Sequence, residues 1–176
     1  MRKYIVLTIL TLALCSSVVA AEKPALDVAI YPGGQPSMEV NLSQSDLLPA
    51  LQGILPMVPL AGLNQILTPE AAAALLNGIK RFQYLQIDIV SNPVDTQVSD
   101  FYSKNLPAGE WNRVFWQKAN IGTIAFYNQG TEKLYAFLVQ QTTIDGKPAK
   151  RVQIIRAEGK IDLAQLLSIA AKTILK

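Results

Sequence analysis

Beyond residue 37 the chain switches between two hydrophobic rhythms, one of 3.6 residues and one of two, and the changeovers mark out its elements. Met38-Glu39-Val40-Asn41-Leu42 alternates as a half-buried strand does. Ser45 then reads as the cap of a helix, with Asp46 in a first turn whose dipole favours a carboxylate. Leu47, Leu48, Leu51, Ile54 and Leu55 share one face of it, and Pro56 and Pro59 end it. Pro49 lies in the first turn, where a missing N–H has no partner to lose. Residues 55–67 are apolar but broken by prolines and glycine; they read as a buried connector, or alternatively as a flap over a ligand or a membrane-contacting loop. Thr68-Pro69-Glu70 opens a second helix that runs to about Arg81. Residues 84–90 form a strand with Leu85, Ile87 and Ile89 on one face. A third helix opens at Asp95 or Thr96, carries Val98, Phe101, Tyr102 and Leu106 on one stripe, and closes at Pro107 and Gly109.

From there the period of two takes over. Residues 111–118, 123–128, 133–141 and 149–158 read as four strands, joined through Asn120-Ile121-Gly122, Gln129-Gly130 and Asp145-Gly146. Links this short imply an antiparallel meander. Asp162 caps a closing helix with Leu163, Leu166, Leu167, Ala170 and Ile174 inward, and Ile161 can staple onto Leu166. The order predicts one α+β domain over residues 38–176, a mainly antiparallel sheet with helices packed on one face. Residues 21–37 read as an extended segment before it, with a turn at Tyr31-Pro32-Gly33-Gly34. No lysine or helix-opening Ser or Thr follows those glycines at the spacing of a phosphate loop.

Residues 1–20 have the build of a signal peptide: Arg2 and Lys3, an apolar run from Tyr4 to Leu14, then Ser16, Ser17, Val18, Val19 and Ala20. The run is short for a bilayer span, so cleavage near Ala20 or Ala21 and export to the periplasm or medium are expected. An uncleaved anchor is the alternative. Lipid attachment at Cys15 is a second, though Leu14 occupies the place where a lipoprotein signal carries a small residue. Cleavage also changes the charge. The chain has sixteen basic and thirteen acidic residues, and losing Arg2 and Lys3 leaves fourteen against thirteen. A near-neutral domain gives no electrostatic ground for binding nucleic acid.

The chain contains no histidine, and its single cysteine, Cys15, lies in the leader. The mature domain therefore has no disulfide, no Ser-His or Cys-His nucleophile pair, and no nitrogen or sulfur ligands of the kind zinc requires. No cofactor and no metal are expected. With half the residues hydrophobic, packing alone must hold the domain.

Three stretches carry a family resemblance: Val40-Asn41-Leu42-Ser43-Gln44-Ser45-Asp46-Leu47-Leu48, Thr123-Ile124-Ala125-Phe126-Tyr127, and Gly159-Lys160-Ile161-Asp162-Leu163-Ala164-Gln165-Leu166. Through them most of the mature chain resembles the small exported bacterial proteins catalogued as domain of unknown function 4252. The resemblance implies a fold and an exported location. It implies no activity and transfers no catalytic residue.

Catalysis without histidine leaves paired carboxylates or a Ser–Lys pair. Asp88, Asp100, Glu110, Glu132 and Glu158 are the acids to weigh, but each has an ordinary place on a strand face, a helix turn or a loop. Tyr102-Ser103-Lys104 puts serine and lysine side by side, where helix neighbours do not face each other, and Ser99 to Lys104 is no facing interval either. A non-catalytic module is the expectation, with a carboxylate-based hydrolase as the remote alternative. Two surfaces are candidates for recognition. Trp111, Phe115, Trp116, Tyr127 and Tyr135 crowd neighbouring strands, and alternation sends Trp111 and Phe115 to one face and Trp116 to the other. They are either cross-strand packing or a platform for a sugar, lipid or partner chain. Lys147, Lys150, Arg151, Arg156 and Lys160 collect on the last hairpin, either as a solvated edge or as a contact for an anionic membrane surface or envelope polymer. The expected partner is a protein, lipid or small molecule of the cell envelope.

Overall fold

The computed structural model describes residues 28–47, 77–119 and 122–162, together with Leu26, Pro49 and Ala164. The leader with Cys15, the connector at 55–67 and all but the end residues of the helices expected at 45–55, 68–81 and from 162 onward lie outside these residues. Six strands and one helix make up the rest: β1 (Gly34–Ser43), β2 (Ile79–Ile89), α1 (Asp95–Lys104), β3 (Asn112–Ala119), β4 (Gly122–Gln129), β5 (Lys133–Ile144) and β6 (Lys147–Gly159).

The strands form one sheet in the order β1-β2-β6-β5-β4-β3, with every neighbouring pair antiparallel. The meander from β3 to β6 forms as its short links predict. Asp145 (φ 50°) and Gly146 (φ 74°) are both left-handed, which is the twist-matching two-residue hairpin turn joining β5 to β6. The turn at Tyr31 also forms, the Gly34 N–H donating to the Tyr31 carbonyl at 2.7 Å.

Several boundaries move. β1 begins at Gly34, so the end of the segment read as irregular is already paired, Gly34 opposite Ile89. Residues 79–81 are strand and not helix, because Ile79 pairs with Gly159 and the Lys160 N–H donates to the Gly78 carbonyl. Helical structure starts at Gln44 instead of after Ser45: Asp46 Oδ2 accepts the Ser43 N–H at 3.2 Å, one half of a capping box. α1 is entered from Val94, whose N–H donates to Gln97 Oε1 at 3.3 Å. It stops at Lys104, where Asn105 donates to the Phe101 carbonyl with both its backbone and its side-chain amide.

Alternation along the inner strands sorts the core. Leu85, Ile87, Ile89, Ala125, Tyr127, Tyr135, Phe137, Val139, Val152 and Ile154 build one face, and Val98 and Tyr102 of α1 with Leu26 cover it. Phe82, Phe126, Leu134 and Ala157 point to the other face, where Leu47, Ile79 and Ile161 join them. Residues 134–139 of β5 are accordingly buried without a break. The described residues thus carry apolar cover on both faces, where the sequence pattern led to an expectation of one. A sheet buried on both sides reads as continuous hydrophobicity, and the run Leu134-Tyr135-Ala136-Phe137-Leu138-Val139 has that form. Among the described residues no helix is long and apolar enough to cross a membrane.

Candidate binding groove

The last strand of the sheet sets the geometry of the site. β3 pairs with β4 in regular alternation except between Arg113 and Phe115, where Val114 is an extra residue. Such a bulge shifts the side-chain phase by one. Arg113 lies opposite Tyr127, Phe115 opposite Phe126, and Trp116 opposite Ala125. Because Tyr127 and Ala125 belong to the α1 face, Arg113 and Trp116 do too, while Phe115 turns to the far side and packs on Phe126 with ring centroids 5.6 Å apart. This reverses the sequence reading, in which Trp111 and Phe115 share a face opposite Trp116. An uninterrupted period of two cannot register one inserted residue.

The outcome is an open groove of about 460 Å³ between α1 and β3, lined by Asp100, Ser103, Lys104, Arg113 and Trp116. Asp100, Ser103 and Lys104 come from the side of α1 turned away from the buried Val98 and Tyr102. Trp116 is 48% exposed, a large apolar surface left open to solvent. Ser103 Oγ accepts the Tyr127 hydroxyl at 2.8 Å, which ties α1 to β4 at the groove floor. Among the described residues neither Lys104 nor Arg113 has a carboxylate within ion-pair distance. An indole flanked by two cations, with one carboxylate nearby, can stack a flat or apolar group and hold an anionic one.

The other aromatics predicted to form a platform are core. Tyr127 and Tyr135 are buried, and burial pushes the Tyr135 hydroxyl pKa well above its usual range. Trp111 is half-buried, its indole N–H donating to the Pro107 carbonyl at 2.8 Å and its ring edge-on to Tyr135. Only Trp116 of the five lines the groove.

The basic group on the last hairpin does not form one surface, because β6 is an interior strand between β2 and β5 and not an edge. Arg151 makes a two-pronged ion pair with Asp88 on the face away from α1, at 2.7 and 3.1 Å, and that hydrogen bonding keeps its guanidinium pKa above the ordinary value. Lys150, on the α1 face, is buried; its ammonium lies 2.5 Å from Asp95 Oδ1 and donates to Gln141 Oε1. Arg156 pairs with Glu158 at 2.8 Å. Lys147 and Lys160 stay exposed but stand at opposite ends of the strand, Lys147 as its first residue and Lys160 just past its last, roughly 40 Å apart.

The acids fare likewise. Asp88 and Glu158 are spent in those ion pairs, and Glu110 and Glu132 are exposed in loops. Asp100 alone of the five reaches the groove, so it has no second carboxylate there to work with. Ser103 and Lys104 both line the groove, yet the described hydrogen bond at Ser103 Oγ is to Tyr127, and none joins it to Lys104. Ser99 is buried and donates to the Thr96 carbonyl at 3.2 Å. Among the described residues no three Asp, Glu, Cys or His side chains cluster as metal ligands would. Arg113 is the groove residue that sequence reasoning passed over. A single arginine on a strand carries no signal until the bulge and α1 place it beside Trp116.

Comparison with family models, with curated proteins and with solved structures finds no match to this chain.

Proposed function

We propose that the protein is a non-catalytic binding module of the bacterial envelope, and that it holds an anionic partner against Trp116 in the groove between α1 and β3. On this reading residues 1–20 are removed on export, a single α+β domain remains, and the resemblance to the exported 4252 family describes its relatives. The observation that carries the binding role is the exposed indole of Trp116 between the cations Lys104 and Arg113, which have no ion-pair partner among the described residues. Single exposed apolar side chains are common on protein surfaces. An aromatic set in a concave, cation-lined groove is the arrangement that binding sites use.

The test is a tryptophan-fluorescence titration of the protein and of Trp116→Ala with the acidic polymers polyglutamate and polygalacturonate, against polylysine and dextran. A salt-sensitive emission shift with an acidic polymer, absent in Trp116→Ala, is the expected result. The variant should melt within about 5 °C of the parent, since a half-exposed edge residue contributes roughly 1 kcal/mol. No shift with either polymer, or an equal shift in the variant, overturns the assignment. Mass spectrometry of the cellular protein tests the export step: a mass beginning near Ala21 is expected, and a retained leader or lipidated Cys15 would replace it with a membrane-attached form.

A further inference from the structure

Resting on that reading of the groove, we propose that its partner is a protein segment, an extended acidic peptide that adds to the free edge of β3 as a seventh strand. Strand addition needs an edge with unpaired backbone groups and side chains that select the incoming strand. The sheet has two edges, β1 and β3. β1 carries Pro36, with no N–H to donate, and a bulge at Ser37, both near its start; from Met38 to Ser43 its register with β2 is unbroken, but it offers Glu39 and no cation to an incoming acidic strand. β3 contains no proline, and its bulge lies near its start. From Phe115 to Ala119 its register with β4 is unbroken, opposite Phe126 to Gly122. Five consecutive residues can therefore present a regular outer ladder, and among the described residues no strand occupies it.

Charge decides the occupant. Trp116 and Lys118 share the α1 face with Arg113, and Lys104 stands across the groove from them. Lys104, Arg113 and Lys118 have no ion-pair partner among the described residues. A second copy of the chain is a poor fit: β3 itself has no acidic residue, so another β3 laid along this edge would bring further cations and no carboxylate to meet Arg113 and Lys118. The edge thus favours an acidic strand over one of its own kind. Side chains of an added strand alternate, so an acidic residue at every second position would meet Lys118, Arg113 and Lys104 while the others face the Phe115 side.

The probe is a peptide alternating glutamate with valine, compared with its lysine counterpart, and it is read by Trp116 fluorescence and by amide hydrogen exchange of the full protein. The glutamate peptide should bind and slow exchange of outward-facing amides between Phe115 and Ala119, and the lysine peptide should do neither. Arg113→Glu with Lys118→Glu should weaken the glutamate peptide by about five-fold per charge and confer binding of the lysine peptide. If that pair fails to fold, Lys118→Gln alone should give the weakening. A Trp116 response without slowed β3 amides overturns strand addition and leaves the groove reading standing. Binding of polygalacturonate but not of the peptide makes the partner a polysaccharide. Silence from every acidic probe removes both proposals.

Discussion

Tyr102 fixes the wall of the groove, and its ionisation should show it. The ring packs against Phe137 with centroids 6.0 Å apart, is fully buried, and anchors the helix that supplies Asp100, Ser103 and Lys104. Its hydroxyl oxygen accepts the Tyr31 N–H at 3.3 Å, so one residue clamps α1 to both the sheet and the chain ahead of β1. Burial, the dominant cause, pushes its pKa from 10.0 up to about 12. Between those values the unfolded chain has lost the proton and the folded one keeps it. Stability from this group is therefore complete below pH 10 and drains away as pH rises toward 12. Two units at about 1.4 kcal/mol each come to roughly 3 kcal/mol, a large part of a domain's usual 5–15 kcal/mol. Urea unfolding followed by tryptophan fluorescence, repeated from about pH 8 to about pH 12, measures the loss. Tyr102→Phe should be less stable near neutrality by about 1–3 kcal/mol, having taken the acceptor from Tyr31, and its alkaline decline should be shallower. Some decline should persist, since burial also raises the Tyr135 pKa. Parallel alkaline limbs for the parent and Tyr102→Phe would refute the burial argument.

Arg151→Met should destabilise by about 1–3 kcal/mol, because it strands Asp88 in a half-buried place, and Asp88→Leu added to it should recover part of that loss; a thermodynamic cycle from urea melts reads the coupling. Gly159→Ala should cost about 3 kcal/mol or more, since φ is +133° and a methyl group there would meet the Gly78 carbonyl oxygen at 2.2 Å. Gly146→Ala, at an open hairpin tip with φ +74°, should cost only about 1 kcal/mol, and paired thermal melts compare the two.

The strands of the second half were legible because their turns are written in residue types. Asp145-Gly146 admits the paired left-handed conformations that a tight hairpin demands, so the turn was placed, while the strands run closer to it than alternation suggested, to Ile144 instead of 141 and from Lys147 instead of 149. What escaped is whatever depends on pairing between distant segments. Residues 79–81 carry a helical spacing of apolar positions, but partners at Gly159 and Glu158 draw them into the sheet. The insertion of β6 beside β2 leaves no local mark, so its four cations, with Lys160 just beyond it, looked like an edge. The bulge at Val114 is invisible for a similar reason: it exists only relative to the register with β4. It is also what turns Trp116 toward α1. One extra residue separates an aromatic platform, as read from the sequence, from a groove with one aromatic in it.

Position in the sheet explains which charges remain for a partner. On β6 both faces are largely covered, and an ionised group without a counter-charge there would be costly. Lys150, Arg151 and Arg156 each have a carboxylate: Asp95, Asp88 and Glu158. Those cations hold the fold together, and a ligand could recruit them only by breaking pairs already made. On β3 the cost of an unpaired charge is small, because Arg113 and Lys118 stand in water. The same residue types are structural three strands in and available at the rim. Clustering of basic residues along the sequence is therefore a poor guide to which cations are left for a partner; among the described residues Arg113 and Lys118 on the edge strand have no ion pair to break.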